Sequence, residues 1–338
     1  MTAPMLLFYS GRKDYWNFYD LVNKKVLNFQ VNVPRKRLIG SSKGWLIFTE
    51  KNTVDKTFGV TLVNPLFRVR GREKKENSLI RLPPLTPPGW KKWYKDCERF
   101  VCKATISADP ILNAHDCIVT VIHLERCTLA FIRLGKDTTW TYVNESVDNA
   151  RLGCHMVEEA ASLGNKFYAV NSWSEVLFFD VSTWSNSNIK LVGRGNRPDD
   201  DDDDIKRYIF EGEGNKLWMV QRYLEFGEVK RVTKKFRVFE LNYQAGEWTE
   251  KNTLGDFAVF VGDNFSVCVL AAKLLGFQSN CIYFNHDRDY VGYYYEAYDF
   301  GVYNVEDQCF EEIYTESVEK LLEMSYPLPI WVMPALCF

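Results

Sequence analysis

A short segment that recurs along the chain constrains the fold more than any other feature of the sequence. Residues 164–170 read GNKFYAV and residues 214–220 read GNKLWMV, so both begin with Gly-Asn-Lys and end with valine. Each places a polar turn before a run of aliphatic and aromatic residues, which is typical of a β-hairpin. Weaker relatives are SKGWLIF at 42–48 and QSNCIYF at 278–284. The chain therefore repeats a β-rich unit.

A second strand pattern follows these segments and recurs six times. Each copy is a short apolar run with a polar residue near its end, as in VLFFDV at 176–181 and FRVFEL at 236–241. The aligned polar residues are Asp20, Asn64, Arg133, Asp180, Glu240 and Asn304, with separations of 44, 69, 47, 60 and 64 residues. This irregular spacing is near that of kelch-type propeller blades.

Further strands before and after these two patterns bring each unit to four strands. Six such meanders cannot bury both faces alone, whereas radial stacking around an axis covers the faces and leaves only short edges. The sequence therefore predicts an all-β fold, a six-bladed β-propeller of four-stranded meanders, with seven blades as the alternative count. A β-sandwich is the competing all-β fold, but it predicts no fixed four-strand unit.

The ends of the chain predict how the ring closes. The run MLLFYS at 5–10 fits the second strand of a blade, and a spare strand at 330–333 can pair with it. We therefore expect one domain over residues 1–338, closed by pairing of the two terminal strands. The expected blades are 1–35, 36–86, 100–145, 156–193, 206–252 and 256–315, with the closing strand at 328–335.

Composition argues against several classes of function. The net formal charge of −2 lacks the basic excess that nucleic-acid binding usually requires. No apolar stretch approaches the roughly 18 residues of a membrane span, and the first residues lack the features of a signal peptide. The nine cysteines form no CxxC pair, which favours a reducing compartment. We expect a monomer in the cytoplasm, the nucleus or both.

Catalytic and metal-binding motifs are missing from the sequence. GxSxG, P-loop, GxGxxG and HExxH patterns do not occur. The four histidines are far apart, and only Cys154 and His155 bring a thiol and an imidazole together, on opposite faces if they lie in a strand. The polar stretch HDRDY at 286–290 is expected to be a turn. The sequence predicts no catalytic residue, no metal and no cofactor.

Two insertions stand out between the blades. The first, WKKWYKDCERFV at 90–101, is predicted to be a short amphipathic connector helix. Its Trp90 and Trp93 either cap a hydrophobic edge or form a partner-binding site, and they are the candidate binding residues. The second is a run of six aspartates at 199–204, expected to form a solvated loop rather than a calcium site. A helical pattern also occurs at 316–324.

The motifs together resemble a known family. GSSKGWLIF at 40–48, LVNPLF at 62–67, FRVFELN at 236–242, LGDFAVFVGDN at 254–264 and WVMP at 331–334 are similar, in this order, to the plant F-box-associated β-propellers of the KIB type. The resemblance covers nearly the whole chain. It implies a plant source and a propeller that, joined to an amino-terminal F-box, presents substrates to a cullin-based ubiquitin ligase.

The resemblance implies no catalytic residues, and no F-box is expected, because only four residues precede the first predicted strand. Direct docking to the ligase core is therefore in doubt. The leading hypothesis is a non-enzymatic protein-binding propeller with an unknown protein partner. The alternatives are a small-molecule binder or enzyme that uses the central channel, and a truncated product without a role.

Overall fold

The computed structural model of the chain describes residues 4–9, 15–32, 36–52, 54–55, 57–68, 78–86, 100–123, 128–143, 156–163, 166–180, 189–195, 204–227, 231–262, 265–273, 276–286, 299–311 and 329–333. The strands in chain order are β1 (Met5–Tyr9), β2 (Tyr15–Asp20), β3 (Lys25–Asn32), β4 (Arg37–Ser42), β5 (Trp45–Asn52), β6 (Thr57–Val63), β7 (Leu79–Arg81), β8 (Val101–Ile106), β9 (Ile118–His123), β10 (Thr128–Arg133), β11 (Thr141–Tyr142), β12 (Val157–Leu163), β13 (Lys166–Asn171), β14 (Val176–Asp180), β15 (Lys190–Gly193), β16 (Asp204–Glu211), β17 (Leu217–Phe226), β18 (Arg231–Asn242), β19 (Glu247–Lys251), β20 (Phe257–Gly262), β21 (Phe265–Leu270), β22 (Cys281–Phe284), β23 (Gly301–Asn304), β24 (Cys309–Glu311) and β25 (Ile330–Val332). Short 3₁₀ helices occupy Pro65–Arg68, Ala114–Asp116, Glu213–Asn215 and Ala271–Lys273.

The described strands form six sheets, which are the six predicted blades. Their strand orders are β25-β1-β2-β3, β4-β5-β6-β7, β8-β9-β10-β11, β12-β13-β14-β15, β16-β17-β18-β19 and β21-β20-β22-β23-β24. The prediction of an all-β, six-bladed propeller is confirmed.

Pairing between the terminal strands closes the first blade. β25 runs antiparallel to β1, with Leu6 opposite Trp331 and Leu7 opposite Ile330. All four side chains are buried, and Trp331 also packs edge-on against Phe260 of the sixth blade. The predicted seam between the two ends is therefore confirmed, and it is held by apolar burial as well as by backbone hydrogen bonds.

Apolar packing between blades explains why the strands read as continuous apolar runs. Successive side chains of a strand point to opposite faces of the sheet. In β13, Phe167 and Ala169 therefore pack toward the third blade, whereas Tyr168 and Val170 pack toward the fifth. Both faces of an inner strand are buried, so both sets of positions must be apolar.

The sixth blade departs from the predicted four-strand meander. It has five strands, because the β20–β21 hairpin turns inward and the chain returns to place β22 on the other side of β20. β20 and β22 pair in parallel, with Ala258 opposite Cys281 and Val261 opposite Phe284. Parallel neighbours need a crossover instead of a tight turn, and the connection from β21 to β22 provides it.

The insertions are only partly described. The strand of the fifth blade begins at Asp204, so the last aspartate of the acidic run belongs to β16, where it is exposed, and not to a loop. The predicted connector helix is wrong at its end, since Val101 begins β8. Three stretches lie outside the described residues: residues 90–99, the first five aspartates of the acidic run, and the helical pattern at 316–324. Among the residues described, no helix is long and apolar enough to cross a membrane.

Candidate functional site

The propeller has two ends that carry different connections. We call the end at which β8, β12 and β16 begin the upper face, and the end at which they finish the lower face. Contacts between inner strands fix their relative heights: Arg207 N, near the start of β16, donates a 2.9 Å hydrogen bond to Glu158 Oε2, near the start of β12. Binding residues often lie on loops held by a rigid scaffold, so both faces are candidates.

The axis of the ring is occupied by β21. This strand is the inner edge of the sixth sheet and contacts β4, β16 and β25, which belong to three other blades. The carbonyl oxygen of Gly262, at the end of β20, lies 3.5 Å from Lys103 Nζ in the opposite blade. Propellers are built around a central channel. Here a strand of the protein itself lies in that channel.

A buried ion pair holds the β20–β21 hairpin at the upper face. Lys103 Nζ lies 2.5 Å from Glu159 Oε2, and Ser266 Oγ of β21 donates a 2.8 Å hydrogen bond to the same oxygen. Lys103 and Glu159 are only 8% and 4% exposed. Burial raises the pKa of the Glu159 carboxyl, and the ammonium group of Lys103 opposes that rise. The contact joins the third, fourth and sixth blades across the axis.

The turn between β13 and β14 anchors the fourth blade to the fifth. Ser174 is fully buried and has a left-handed backbone, with φ of 63°. Its Oγ accepts hydrogen bonds from Arg207 Nε at 2.7 Å and Gln221 Nε2 at 3.1 Å. Its carbonyl oxygen accepts a 2.8 Å bond from Trp248 Nε1. The strained turn is therefore stabilised by three side chains of the next blade.

A second buried cluster joins the fifth blade to the sixth. The guanidinium group of Arg222 is completely buried, and its Nη2 lies 2.8 Å from Asp299 Oδ2. The Nη1 atom donates to the carbonyl of Asn285, and the group lies 4.8 Å from the ring centroid of Phe284. Asp299 also accepts a 3.0 Å bond from the backbone N–H of Thr233. The carboxylate thus neutralises a cation that cannot reach water.

These polar residues suit structural roles better than catalysis. The Glu159, Ser174 and Arg222 groups each face partners from neighbouring blades, and the three contacts link blades rather than pair a nucleophile with a base. In the described part of the chain, no group of three histidine, cysteine, aspartate or glutamate residues could hold a metal ion. The described polar groups at these three sites thus bond neighbouring blades to one another.

The lower face carries a differently built connection. Residues 107–117 join β8 to β9, whereas only Lys43 and Gly44 join β4 to β5 in the neighbouring blade. The longer connection exposes two aliphatic side chains, Ile111 and Leu112, to solvent. Neither residue was predicted from the sequence to be a binding residue. The Asp109-Pro110 pair, a common start of a turn, was the signal available for them.

The predicted binding residues and several other sequence candidates lie outside the described residues. These are Trp90 and Trp93, the Cys154–His155 pair, and HDRDY apart from His286, which is buried. Trp90 and Trp93 therefore stay a prediction. Cys117 and Cys281 are buried, and burial raises the pKa of each thiol to about 12, as expected for small apolar core residues.

His123 is the buried imidazole for which the structure predicts a measurable pH effect. Its ring stacks on Phe100 with 5.4 Å between centroids and meets Tyr142 edge-on. Burial lowers the pKa of His123 from 6.5 to about 4. The imidazole of His123 is therefore protonated near pH 6.5 in the unfolded chain, but only near pH 4 in the folded protein.

Stability should consequently fall as the pH is lowered through this window. Between about pH 7 and about pH 5, the His123 contribution to the free energy of unfolding should decrease by about 2 kcal/mol. Urea unfolding of wild type and His123→Phe at both values measures it, because phenylalanine keeps the ring packing and cannot titrate. We expect the variant to lose about 2 kcal/mol less than wild type; equal losses would show that His123 is not the responsible group.

The family model described as the KIB1-4 beta-propeller matches residues 18–304. Among curated proteins of Arabidopsis thaliana, "Putative F-box protein At5g55150" is 26% identical over 188 residues, which are 55% of this chain and 49% of that protein. F-box/kelch-repeat protein At1g64840 is 27% identical over 130 residues, or 36% and 33% of the two chains. The chain thus spans half or less of the length of these relatives.

Solved structures align with the chain at lower sequence identity than these relatives. The crystal structure of Citrobacter koseri AztD aligns with 98% of this chain and 99% of its own, at 9% identity and a TM-score of 0.34.

Proposed function

Because the chain belongs to the KIB1-4 β-propeller family, we propose that it is a protein-binding module without catalytic activity. Its role resembles that of the substrate-recognition domain of an F-box adaptor in a cullin-based ubiquitin ligase. The names of the Arabidopsis relatives support this proposal, since they are called F-box or F-box/kelch-repeat proteins.

The observation that carries the proposal is the position of β21. An enzyme or small-molecule binder of this architecture would collect polar groups from several blades around an open channel. Here β21 lies in the channel, and the polar groups beside it, Lys103, Glu159 and Ser266, bind one another. The surfaces that remain for binding are the loops of the two faces, which suit a macromolecular partner.

The proposal includes the kind of partner and its place in the cell. We propose a folded protein, bound one to one by a monomeric propeller, in the cytoplasm or the nucleus. Nucleic acid fits poorly, since acidic residues slightly outnumber basic ones, 44 against 42. A link to the ligase core would then require either an F-box on the same polypeptide or a bridging adaptor.

Affinity purification from whole-cell plant extract tests this proposal. The bait is the tagged full chain, and the control is the same chain without residues 330–338, which lacks β25 and therefore the seam. We expect a discrete protein to copurify with the closed propeller and to be lost with the control. Ligase subunits scored in the same sample show whether the core is recruited.

Two outcomes would contradict the proposal. One is that no protein is enriched over the empty tag. The other is that the same proteins are enriched on the opened chain, since binding would then need no folded propeller. A recombinant copy of any enriched protein should bind the purified chain directly, which excludes indirect capture.

A further inference from the structure

The connection between β8 and β9 is the most elaborate one described on the lower face. Its first part is fixed by Asp109, whose Oδ1 accepts hydrogen bonds from the backbone N–H groups of Ile111 at 2.8 Å and Leu112 at 2.9 Å. The other oxygen, Oδ2, accepts a 3.0 Å bond from Nε1 of Trp45. Trp45 is fully buried in the second blade. The turn that carries Ile111 and Leu112 is thereby attached to the core of the second blade.

The base of the same connection is closed by a second set of bonds. Ser107 Oγ donates to the carbonyl oxygen of Asp116 at 3.0 Å and accepts from the N–H of Ile118 at 2.9 Å. The Sγ atom of Cys117 lies 3.2 Å from the carbonyl oxygen of Ala108. With both ends fixed, the loop needs little further ordering when it binds, which lowers the entropic cost of association.

This rigid loop holds apolar side chains in water. Leu112 is 67% exposed and Ile111 is 37% exposed, while Pro110 between them and Asp109 is buried. Folding gains little from placing the Leu112 side chain there, because apolar area contributes to stability only when it leaves water, whereas Ile111 is already more than half buried. Burial of Leu112 and of the exposed part of Ile111 by another molecule would supply the missing gain.

The charges around the pair indicate the chemistry of the partner. On the adjacent turn, Arg133 and Asp137 neutralise each other at 2.7 Å. Asp116 lies in the same rigid loop as Leu112, with an exposed side chain, and Lys136 is the exposed cation of the adjacent turn. A complementary surface would therefore place a basic group against Asp116.

We propose that residues 109–116, which we call the lower-face knob, dock a folded partner protein through an apolar pocket flanked by a basic side chain. Leu112 and Ile111 enter the pocket, and Asp116 meets the basic group. The inference rests on the proposed function, because it names the surface by which this propeller binds its protein partner.

Two variants separate the knob from the rest of the surface. Leu112→Asp places a charge in the proposed pocket. Val54→Asp is the matched control, since Val54 is 85% exposed and follows the upper end of β5, the strand whose lower end is Trp45. Both positions are exposed, so both variants should melt at the wild-type temperature.

The experiment first places a photo-crosslinking amino acid at position 112 or at position 54 of the full chain in plant extract. The crosslinked protein is identified by mass spectrometry, made recombinantly and titrated against the variants. We expect crosslinking from position 112, a Kd raised roughly tenfold or more by Leu112→Asp, and no change with Val54→Asp. Asp116→Lys should raise Kd about threefold, and Lys136→Glu should not weaken binding.

The inference fails if a partner found by affinity purification crosslinks only from position 54, or binds Leu112→Asp as tightly as wild type. In both cases the protein-binding function would stand, through another surface. If affinity purification finds no partner, the proposed function fails, and the inference fails with it. If Lys136→Glu weakens binding and Asp116→Lys does not, the charged group of the partner is acidic rather than basic. That result would overturn the proposed partner chemistry.

Discussion

Replacing Lys103 with methionine is expected to lower the free energy of unfolding by about 3–5 kcal/mol, the usual cost of leaving one member of a buried ion pair uncompensated. The reason is the geometry at the axis: Glu159 is buried, and its carboxylate depends on the Lys103 ammonium group 2.5 Å away. Urea unfolding at neutral pH measures the loss. Amide exchange of residues 265–270 should rise with it, because the same carboxylate accepts the Ser266 hydroxyl.

The control for this prediction removes both charges together. Lys103→Met with Glu159→Leu fills similar volume without a buried ion, so it should lie within about 1–2 kcal/mol of wild type. A double variant at least as unstable as the sum of its single variants would contradict the coupling. Ser266→Ala removes only the hydrogen bond from β21 to Glu159. It should lower the free energy of unfolding by about 1 kcal/mol and raise amide exchange in β21.

The blades could be predicted because their signal is local. Each strand shows its apolar run, as in GNKFYAV and GNKLWMV, of which the structure places residues 166–170 in β13 and residues 217–220 in β17. The seam could be predicted as well, because one strand at each end had no partner in sequence. Both inferences need only the order of the strands and the requirement that apolar faces are covered.

The strand in the channel could not be predicted, because its pairing is not local. Residues 257–262 and 265–270 read as an ordinary hairpin, and they form one. What differs is that β22 returns beside β20 and not beside β21. Local patterns specify that a segment is a strand, but the order of strands in a sheet depends on packing against the other blades.

The polar contacts at the axis left a weak signal. Lys103 stands in VCKATI and Glu159 in VEEAASL, so each is a charged residue within a largely apolar strand. Such a residue in an inner strand must find a partner of opposite charge. The sequence could not identify that partner, since the two residues are far apart in the chain and meet only when the third and fourth blades stack.

Replacing Asp299 with alanine is the second change with a large expected effect. Arg222 would keep its charge at complete burial, and Arg231, whose Nε lies 3.4 Å from Asp299 Oδ2, would lose the same carboxylate. An arginine stays protonated in a protein, so the cost cannot be reduced by deprotonation. We expect the free energy of unfolding to fall by about 3–5 kcal/mol, measured by urea unfolding.

An exposed ion pair of the same chemistry in the same blade provides the control. Arg237 and Glu250 meet at 2.5 Å, but their side chains are 34% and 40% exposed. Water therefore screens the pair and can solvate the arginine left by Glu250→Ala, which should cost about 1 kcal/mol or less. If Asp299→Ala cost no more than Glu250→Ala, burial would not be what makes the Asp299 contact matter.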